Sequence, residues 1–337
     1  MKGGEKMKEQ KRRLEINWKV FPCAMILVVM LMSPCMGAED PAKFPSKPIT
    51  MIIQWSPGGS TDLSGRKMAD LASKVLGQPI VVENKAGGGG VIGTTAIANA
   101  SPDGYTIGTI QYSATTLIPH LRSVPYKTKE DFTWIMQFSE YTFPFCVQSA
   151  SPWKTFKEFI EEARRNPGKL NYATQGPLTA QHILLEQIFS SEKVKLNHVP
   201  VGGALEVVQQ LLGGHIDAGM SADLLPHVRS GKLRGLAIQG EKRFELFPDI
   251  PTFSEIGYKA ESPLWMAVCA PKGVDSRIIK KLFDAFKQAQ EHPSFKELCA
   301  TLYLRPVFRD SETLKNMVFR DFDSQKIILK ELGLAKP

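Results

Sequence analysis

Strand-like segments that run through glycine turns into helices are the feature that most constrains the fold of this 337-residue chain. The apolar run Ile49–Ile53 leads into a turn, after which apolar residues recur at helical spacing as far as Val75. Comparable units follow at 170–189, 198–212 and 216–238. Because strands and helices alternate, the sequence predicts the α/β class with largely parallel sheets covered by helices.

The turn 56–62, Ser-Pro-Gly-Gly-Ser-Thr-Asp, has the composition of an anion-binding loop. Glycines let the backbone approach a ligand, and a helix N-terminus presents free N–H groups with a partial positive charge. Asp62 is predicted to be the N-cap or a first-turn acid of the helix that follows. The Walker nucleotide pattern is absent, since Ser60 stands five residues before Gly65 and no Lys-Ser or Lys-Thr pair follows. Two interpretations stay open, an anion site and a tight turn without a ligand.

A second glycine loop, at 88–93, matches the dinucleotide pattern G-x-G-x-x-G after the apolar run that begins at Ile80. That pattern places an acidic residue about 20 positions later. Ser113 stands at that position here. The sequence therefore does not indicate a dinucleotide cofactor.

The first 37 residues have the features of a secretory signal peptide. Basic residues precede an apolar stretch at 24–32, and the small residues Gly37 and Ala38 follow. The apolar stretch is too short to span a bilayer, which takes roughly 20 residues. We therefore predict cleavage near Gly37 or Ala38 and a periplasmic location. A lipid anchor at Cys35 is less favoured because Pro34 precedes it, and a retained membrane anchor is the third alternative.

The net charge of +8 belongs partly to this leader, because residues 1–37 carry seven positive and three negative charges and their removal leaves +4. No stripe of Lys and Arg interleaved with aromatic residues occurs, so the charge does not indicate nucleic-acid binding. The six histidines lack metal-ligand spacing, and no nucleophile elbow occurs. The sequence thus predicts no enzyme, no metal and no cofactor.

The predicted mature part keeps three cysteines, Cys146, Cys269 and Cys299, without a C-x-x-C spacing. A chain of this length can bury an ordinary core and does not need a disulfide framework. Three buried thiols are the favoured interpretation, with one long-range pair left open.

Two further strand–turn–helix units stand in the second half of the chain, at 174–179 and 201–204. With the earlier turns, they predict several helix N-termini around one cleft. His182 follows the first of these turns and either faces a ligand or is a partly exposed helix residue. Trp55 either forms a wall of the site or packs in the core.

Six segments resemble, in order and spacing, the Bug family, the periplasmic solute receptors of tripartite tricarboxylate transporters. The segments are FPSKPITMIIQWSPGGSTD, VENKAGGGGVIGTTAIANASPDGYTI, NPGKLNYAT, LLGGHIDAGM, SGKLRGLAI and FPDIPTFSEIGY. The resemblance runs from about Phe44 to the C-terminus. It implies a type II periplasmic binding-protein fold, in which two α/β lobes are joined by two crossover strands with the ligand cleft between them.

Under this resemblance, residues 38–143 plus 264–337 would form lobe 1 and residues 144–263 would form lobe 2. The crossovers would fall near 143–147 and 265–270. A ligand carboxylate would be held mainly by backbone amides and hydroxyl groups of the loops, with waters contributing. The implied ligand-binding residues of lobe 1 are Trp55, Pro57, Gly58, Gly59, Ser60, Thr61, Asp62, Gly87, Gly88, Gly89, Gly90 and Ser113. Those of lobe 2 are Thr174, Gln175, Gly176, His182, Val201, Gly202, Gly203, Ala222 and Asp223.

The departures from the family pattern concentrate in lobe 2. The loop 176–182 lacks the family's serine donors, and 201–203 lacks its Tyr and Lys. The family's Phe-Asp-Asn-Leu region reads Met-Ser-Ala-Asp-Leu at 220–224. In lobe 1, Trp55 replaces the usual Phe and Ser56 the usual Pro. We therefore predict a ligand with one carboxylate and an apolar or aromatic far end.

The function implied by the resemblance is a monomeric, non-catalytic receptor. It would deliver a small carboxylate to the membrane permease subunits of a tripartite tricarboxylate-type transporter. A ligand-responsive partner of a membrane signalling protein, using the same cleft, is the alternative. A hydrolase using Ser60 or a cysteine is a third hypothesis, but no base–nucleophile pattern supports it.

Overall fold

Two five-stranded sheets organise the computed structural model, which describes residues 40–201, 203–259 and 264–334. The first sheet has the order β2-β1-β3-β10-β4, and the second has the order β7-β6-β8-β5-β9. The strands of the first sheet are β1 (Ile49–Ile53), β2 (Ile80–Asn84), β3 (Thr106–Gln111), β4 (Phe132–Tyr141) and β10 (Leu264–Pro271). Those of the second are β5 (Pro144–Gln148), β6 (Asn171–Thr174), β7 (Asn197–His198), β8 (Ala218–Met220) and β9 (Leu233–Ile238).

Helices cover both sheets. They are α1 (Ser60–Leu76), α2 (Val91–Ala98), α3 (Ile118–Leu121), α4 (Phe156–Arg165), α5 (Ala180–Ser191), α6 (Ala204–Leu212), α7 (Leu225–Arg229), α8 (Ser276–Glu291), α9 (Pro293–Thr301) and α10 (Ser311–Glu331). Short 3₁₀ turns at Gly88–Gly90 and Ala222–Leu224 and a π turn at Ser113–Leu117 complete the described secondary structure. No helix of the described part is long and apolar enough to cross a bilayer.

Each sheet contains one strand that runs against the other four. Strand β10 lies antiparallel to β3 and β4, and β5 lies antiparallel to β8 and β9, while the other pairings are parallel. Both sheets are therefore mixed, and the prediction of largely parallel sheets is correct only for the four strands of each sheet that run in the same direction. The two reversed strands are the first strand that the chain forms after each change of sheet.

The chain passes from the first sheet to the second between Tyr141 and Pro144. It returns between Ile238 and Leu264, a connection that includes four residues outside the described ranges. The first change of sheet thus joins β4 and β5 directly through the two residues 142–143. The division into lobes at 143/144 and 263/264 stays a prediction, which this course of the chain supports. The predicted signal peptide at 1–37 lies outside the described residues.

The helix caps differ from the prediction in the C-terminal part. The sequence shows amphipathic helical spacing over 276–290 and 311–332, and the serine that opens each segment predicts an N-cap at Ser276 and Ser311. Asp275 and Asp310 occupy these positions instead. Their carboxylates each accept a backbone N–H at 2.8 Å, from Arg277 and Thr313. Aspartate caps as well as serine does, and serine then stands as the first helical residue. Helix α9, which begins at Pro293, was not predicted.

The three cysteines are buried free thiols, in agreement with the favoured interpretation. Cys146 and Cys269 lie on the reversed strands β5 and β10. Burial raises the pKa of both thiols well above the ordinary value, because the thiolate would be desolvated. These groups therefore behave as small apolar side chains.

Candidate functional site

A cavity of about 800 Å³ is lined by residues from the strand ends and turns of both sheets. The first sheet contributes the turn between β1 and α1 and the ends of β3, β4 and β10, while the second contributes the turns after β6 and β8. The carboxyl ends of parallel strands and the helix N-termini that follow them form much of the wall. This is the usual position of a ligand site in an open α/β sheet. The volume suits a small organic molecule.

The turn before α1 is fixed by a buried carboxylate. Asp62, only 2% exposed, accepts hydrogen bonds from the Gly58 N–H at 2.9 Å, from Arg66 Nε at 2.9 Å and from Asn84 Nδ2 at 2.8 Å. Burial by itself raises the pKa of Asp62, but these three donors outweigh it and lower the pKa below its ordinary value. Asp62 is thus a first-turn acid that supports the turn.

Gly59 is the N-cap of α1 and lines the cavity without a capping side chain. The first N–H groups of an uncapped helix have no partner within the helix. An added Cβ at Gly59 would meet nothing nearer than the Ser56 carbonyl oxygen at 4.0 Å. Together with the hydroxyls of Ser60 and Thr61, which also line the cavity, this turn presents donors to an anion.

A hydrogen-bonded cluster stands behind these hydroxyls. Trp55 Nε1 donates to Gln111 Oε1 at 2.6 Å, and Gln111 Nε2 donates to Thr61 Oγ1 at 2.7 Å and to the Tyr141 hydroxyl at 3.0 Å. The Thr61 and Tyr141 hydroxyls are also hydrogen-bonded to each other. All four residues line the cavity. The donor side of the site is therefore held in place by the ends of β3 and β4.

The wall from the second sheet contains both apolar and polar residues. Its apolar members are Pro177, Leu178, Ala180, Ala204 and Ala222. Phe143, in the loop between β4 and β5, and Trp265, on β10, add large apolar side chains to the cavity. The polar members of the second sheet's wall are Gln175, Thr179, Gln181 and Asp223. Burial raises the pKa of Asp223 above its ordinary value. An acid in this wall disfavours a second ligand carboxylate near it.

Residues 65–334 match the family model described as the tripartite tricarboxylate transporter family receptor. The match spans most of the chain. This protein belongs to that receptor family.

The relatives agree with this assignment. A Cupriavidus necator protein described as "UPF0065 protein in gbd 5'region" is 38% identical over 295 residues, which is 87% of this chain and 90% of that protein. A solved structure of a periplasmic transporter is 32% identical with a TM-score of 0.75, over 86% of this chain and 99% of that one. MatC from Rhodopseudomonas palustris, solved with bound malate, is 25% identical with a TM-score of 0.72, over 85% of this chain and 100% of that one.

These similarities confirm the predicted family and the two-lobe α/β fold of periplasmic binding proteins. The receptor is a solute-binding protein and not an enzyme, as its family shows. In the described part of the chain, no group of three or more His, Cys, Asp or Glu side chains is arranged to hold a metal ion.

The structure brings about half of the predicted site residues to the cavity wall. Those in the wall are Trp55, Pro57, Gly59, Ser60, Thr61, Gly89, Ser113, Gln175, Ala222 and Asp223. Those placed outside it are Gly58, Asp62, Gly87, Gly88, Gly90, Thr174, Gly176, His182, Val201 and Gly203. Gly202 lies outside the described residues. Contact of any of them with a ligand stays a prediction.

Several of the residues outside the wall support its loops. The Gly58 N–H donates a hydrogen bond to Asp62, and the Gly88 carbonyl accepts one from Arg122 Nη2 at 2.6 Å. Thr174 Oγ1 donates to the Gly176 carbonyl at 2.9 Å. These polar groups hold the turns in shape. Sequence matching placed the residues near the site but did not predict this supporting role.

Wall residues that the sequence did not indicate are Gln111, Tyr112, Tyr141, Phe143, Arg122 and Trp265, among others. Gln111 and Tyr141 are each the last residue of a strand. A polar residue that ends an apolar strand is the signal that could have found Gln111, because strand ends meet at one edge of a sheet.

His182 packs against a second histidine and supports the loop before α5. The rings of His182 and His198 have centroids 4.1 Å apart, and His182 Nδ1 accepts the Leu178 N–H at 3.0 Å. Thr174 Oγ1 lies 3.1 Å from His198 Nε2. Leu178 holds a left-handed φ of 59°, so this bond secures a backbone conformation that leucine rarely adopts.

We expect this histidine pair to make the receptor less stable in mild acid. Burial, and then the neighbouring His182, lower the pKa of His198 from 6.5 to about 4. The unfolded chain therefore binds the proton first, so the stability that the neutral pair contributes is full above pH 6.5 and declines as the pH falls towards 4. Urea unfolding of the wild type between pH 7 and 4.5 measures this decline.

The substitution His198→Gln should flatten that pH dependence, whereas His227→Gln, on α7, should leave it unchanged. An equally steep decline in His198→Gln would contradict the assignment.

Proposed function

We propose that this receptor captures a small carboxylate with an apolar or aromatic far end in the cavity between its two sheets. The observation that carries the proposal is the uneven distribution of polar groups in the wall. Uncapped N–H groups and the hydroxyls of Ser60 and Thr61 lie together at the turn before α1, and large apolar side chains such as Ile118, Leu178 and Trp265 line other parts of the cavity. The malate-bound relative MatC supports a carboxylate as the ligand class.

The energetics favour contacts from both sides of the cavity. One helix N-terminus contributes about 0.3–1 kcal/mol to anion binding, or up to roughly 2 kcal/mol when partly buried. Micromolar affinity needs about 8 kcal/mol. Several charge-assisted hydrogen bonds of roughly 1.5–3 kcal/mol each, with burial of the apolar end against Leu178 and Ala204, would supply this energy.

The ligand class is tested by thermal unfolding with a panel of carboxylates. We expect benzoate, phenylacetate or hexanoate, at about 100 times the dissociation constant, to raise the Tm by about 5 °C or more. Citrate and tricarballylate should have smaller effects, because Asp223 opposes a second carboxylate. Stabilisation by citrate-like polyacids alone would refute the apolar far end.

We further propose that the protein acts in the periplasm after export and delivers its ligand to membrane permease subunits of a tripartite tricarboxylate-type transporter. The family description supports a transporter partner. Deletion of the receptor gene should abolish uptake of the ligand found by the panel, measured with radiolabel. Normal uptake with loss of a transcriptional response would favour the alternative, a partner of a membrane signalling protein.

A further inference from the structure

The amide of Gln111 has one orientation that satisfies its neighbours. The indole N–H of Trp55 can only donate, so the Gln111 oxygen must face it, as the 2.6 Å contact has it. The Gln111 nitrogen therefore faces the hydroxyls of Thr61 and Tyr141, at 2.7 and 3.0 Å. Gln111 is 5% exposed, so water does not replace these partners freely.

The orientation of the Gln111 amide determines which acceptors the hydroxyl protons have. Both hydroxyl oxygens accept from the Gln111 amide, and a single hydrogen bond joins Thr61 to Tyr141. Two hydroxyls joined by one hydrogen bond use one of their two protons, so one proton is left without an acceptor inside the cluster.

Both hydroxyl-bearing residues, Thr61 and Tyr141, line the cavity. The remaining proton is therefore available to a ligand atom that accepts. An ionised carboxylate has only acceptors at its oxygens, whereas an amide or a protonated acid also brings a donor. Had the Gln111 amide the opposite orientation, its oxygen would take a hydroxyl proton and remove this donor.

We propose that Gln111 is a positioning residue that keeps the Thr61–Tyr141 hydroxyl pair a hydrogen-bond donor, and so selects an ionised carboxylate. The inference rests on the proposed function and adds the reason for its selectivity. Trp55 takes part by fixing the amide, and its indole N–H is not itself offered to the ligand.

Two substitutions at Gln111 of nearly equal size separate this role from a packing role. In Gln111→Glu the introduced carboxylate accepts the hydroxyl protons, so we expect benzoate and malate to bind about 100-fold more weakly at pH 8 by calorimetry. As the pH falls to 5.5 the introduced carboxyl takes up a proton and donates again, so benzoate affinity should recover by up to about tenfold per pH unit. The wild type should stay constant within about twofold.

In Gln111→Met the hydroxyls keep the proton that has no acceptor inside the cluster, but they lose the amide donor that orients it towards the ligand. We expect a loss of less than about tenfold with no pH dependence. Gln288→Glu, on the exposed face of α8, adds the same charge away from the cavity and should bind as the wild type does. Benzamide, which has the shape of benzoate but brings an N–H donor, should not bind the wild type detectably.

The cluster is also observed without a ligand, through the indole ¹H–¹⁵N resonance of Trp55 assigned with Trp55→Phe. It should lie downfield in the wild type, move further downfield in Gln111→Glu and move to the position of an unbonded indole in Gln111→Met. An unchanged resonance in Gln111→Met would overturn the inference.

Equal losses in Gln111→Glu and Gln111→Met without pH dependence, or binding of benzamide as tight as that of benzoate, would overturn it too. Failure of the wild type to bind either benzoate or malate would instead count against the proposed function, with the Trp55 resonance still deciding whether the cluster exists.

Discussion

Gly59→Val should weaken carboxylate binding by about 100-fold while leaving the fold nearly as stable as the wild type. The valine side chain would occupy the space that an anion needs to reach the first N–H groups of α1. Gly59 has an ordinary φ of −77°, and an added Cβ would meet no atom nearer than 4.0 Å. Backbone strain and a clash of the added Cβ are therefore excluded as causes. Calorimetry with benzoate measures the affinity, and urea unfolding measures the stability.

Gly203→Val is the matched comparison, and it tests whether Gly203, which the family resemblance implies as a ligand-binding residue, contacts the ligand. Gly203 is likewise the N-cap of a helix, α6, and nothing lies within 4 Å of an added Cβ, but it stands outside the cavity wall. We expect its affinity for benzoate to stay within about threefold of the wild type, which is less than 1 kcal/mol. Equal losses in both variants would show that the second sheet's glycine turn contacts the ligand as closely as the first. Unchanged binding in Gly59→Val would remove the turn before α1 from the site.

Asp62→Ala should lower the free energy of unfolding by about 2–3 kcal/mol and weaken ligand binding as well. The substitution leaves the Gly58 N–H without its acceptor and leaves the Asn84 amide with only the Trp55 carbonyl. Gly58 has a left-handed φ of 87°, so the turn depends on this hydrogen bond to keep its shape. The loss to Arg66 costs less, because that side chain is 44% exposed and can be solvated.

The pH dependence of the same variant gives an independent check. The folded-state pKa of Asp62 lies below its ordinary value, so the unfolded chain binds this proton first. Its contribution is full above about pH 4 and is lost as the pH falls. Asp62→Ala should therefore lose less stability than the wild type on going from pH 5 to pH 3.

Asp70→Ala is the control on the same helix. Asp70 pairs with Lys74 at 2.9 Å, but both side chains are more than half exposed, at 53% and 66%. Such a surface pair contributes about 0.5 kcal/mol or less. A loss as large as that of Asp62→Ala would mean that helix charge, and not the buried turn, accounts for the effect.

The glycine turns were predictable because their signals are local. Apolar periodicity fixes where β1 ends and α1 begins, and the residues between them must form the turn. The same holds for the turn that contains Gln175. Local patterns do not say which polar groups bond to each other, so the hydrogen bonds by which Asp62 supports the turn could not be predicted.

Gln111 and Tyr141 were missed for a different reason. They stand 50 and 80 positions from Thr61 along the chain. Their meeting depends on the strand order β1-β3-β10-β4, in which the reversed strand β10 separates β3 from β4. Periodicity identifies strands but carries no information on their order in the sheet.

The sequence by itself determined the α/β class, the glycine turns that begin α1 and α5, and the resemblance to a receptor family whose model matches residues 65–334. Tertiary structure alone decided which donors those turns offer. Hydrogen bonds between distant strand ends commit the Gly58 N–H to Asp62 and orient the hydroxyls of Thr61 and Tyr141 through Gln111. A donor is available to a ligand only when its neighbours leave it so, and those neighbours are brought together by the fold.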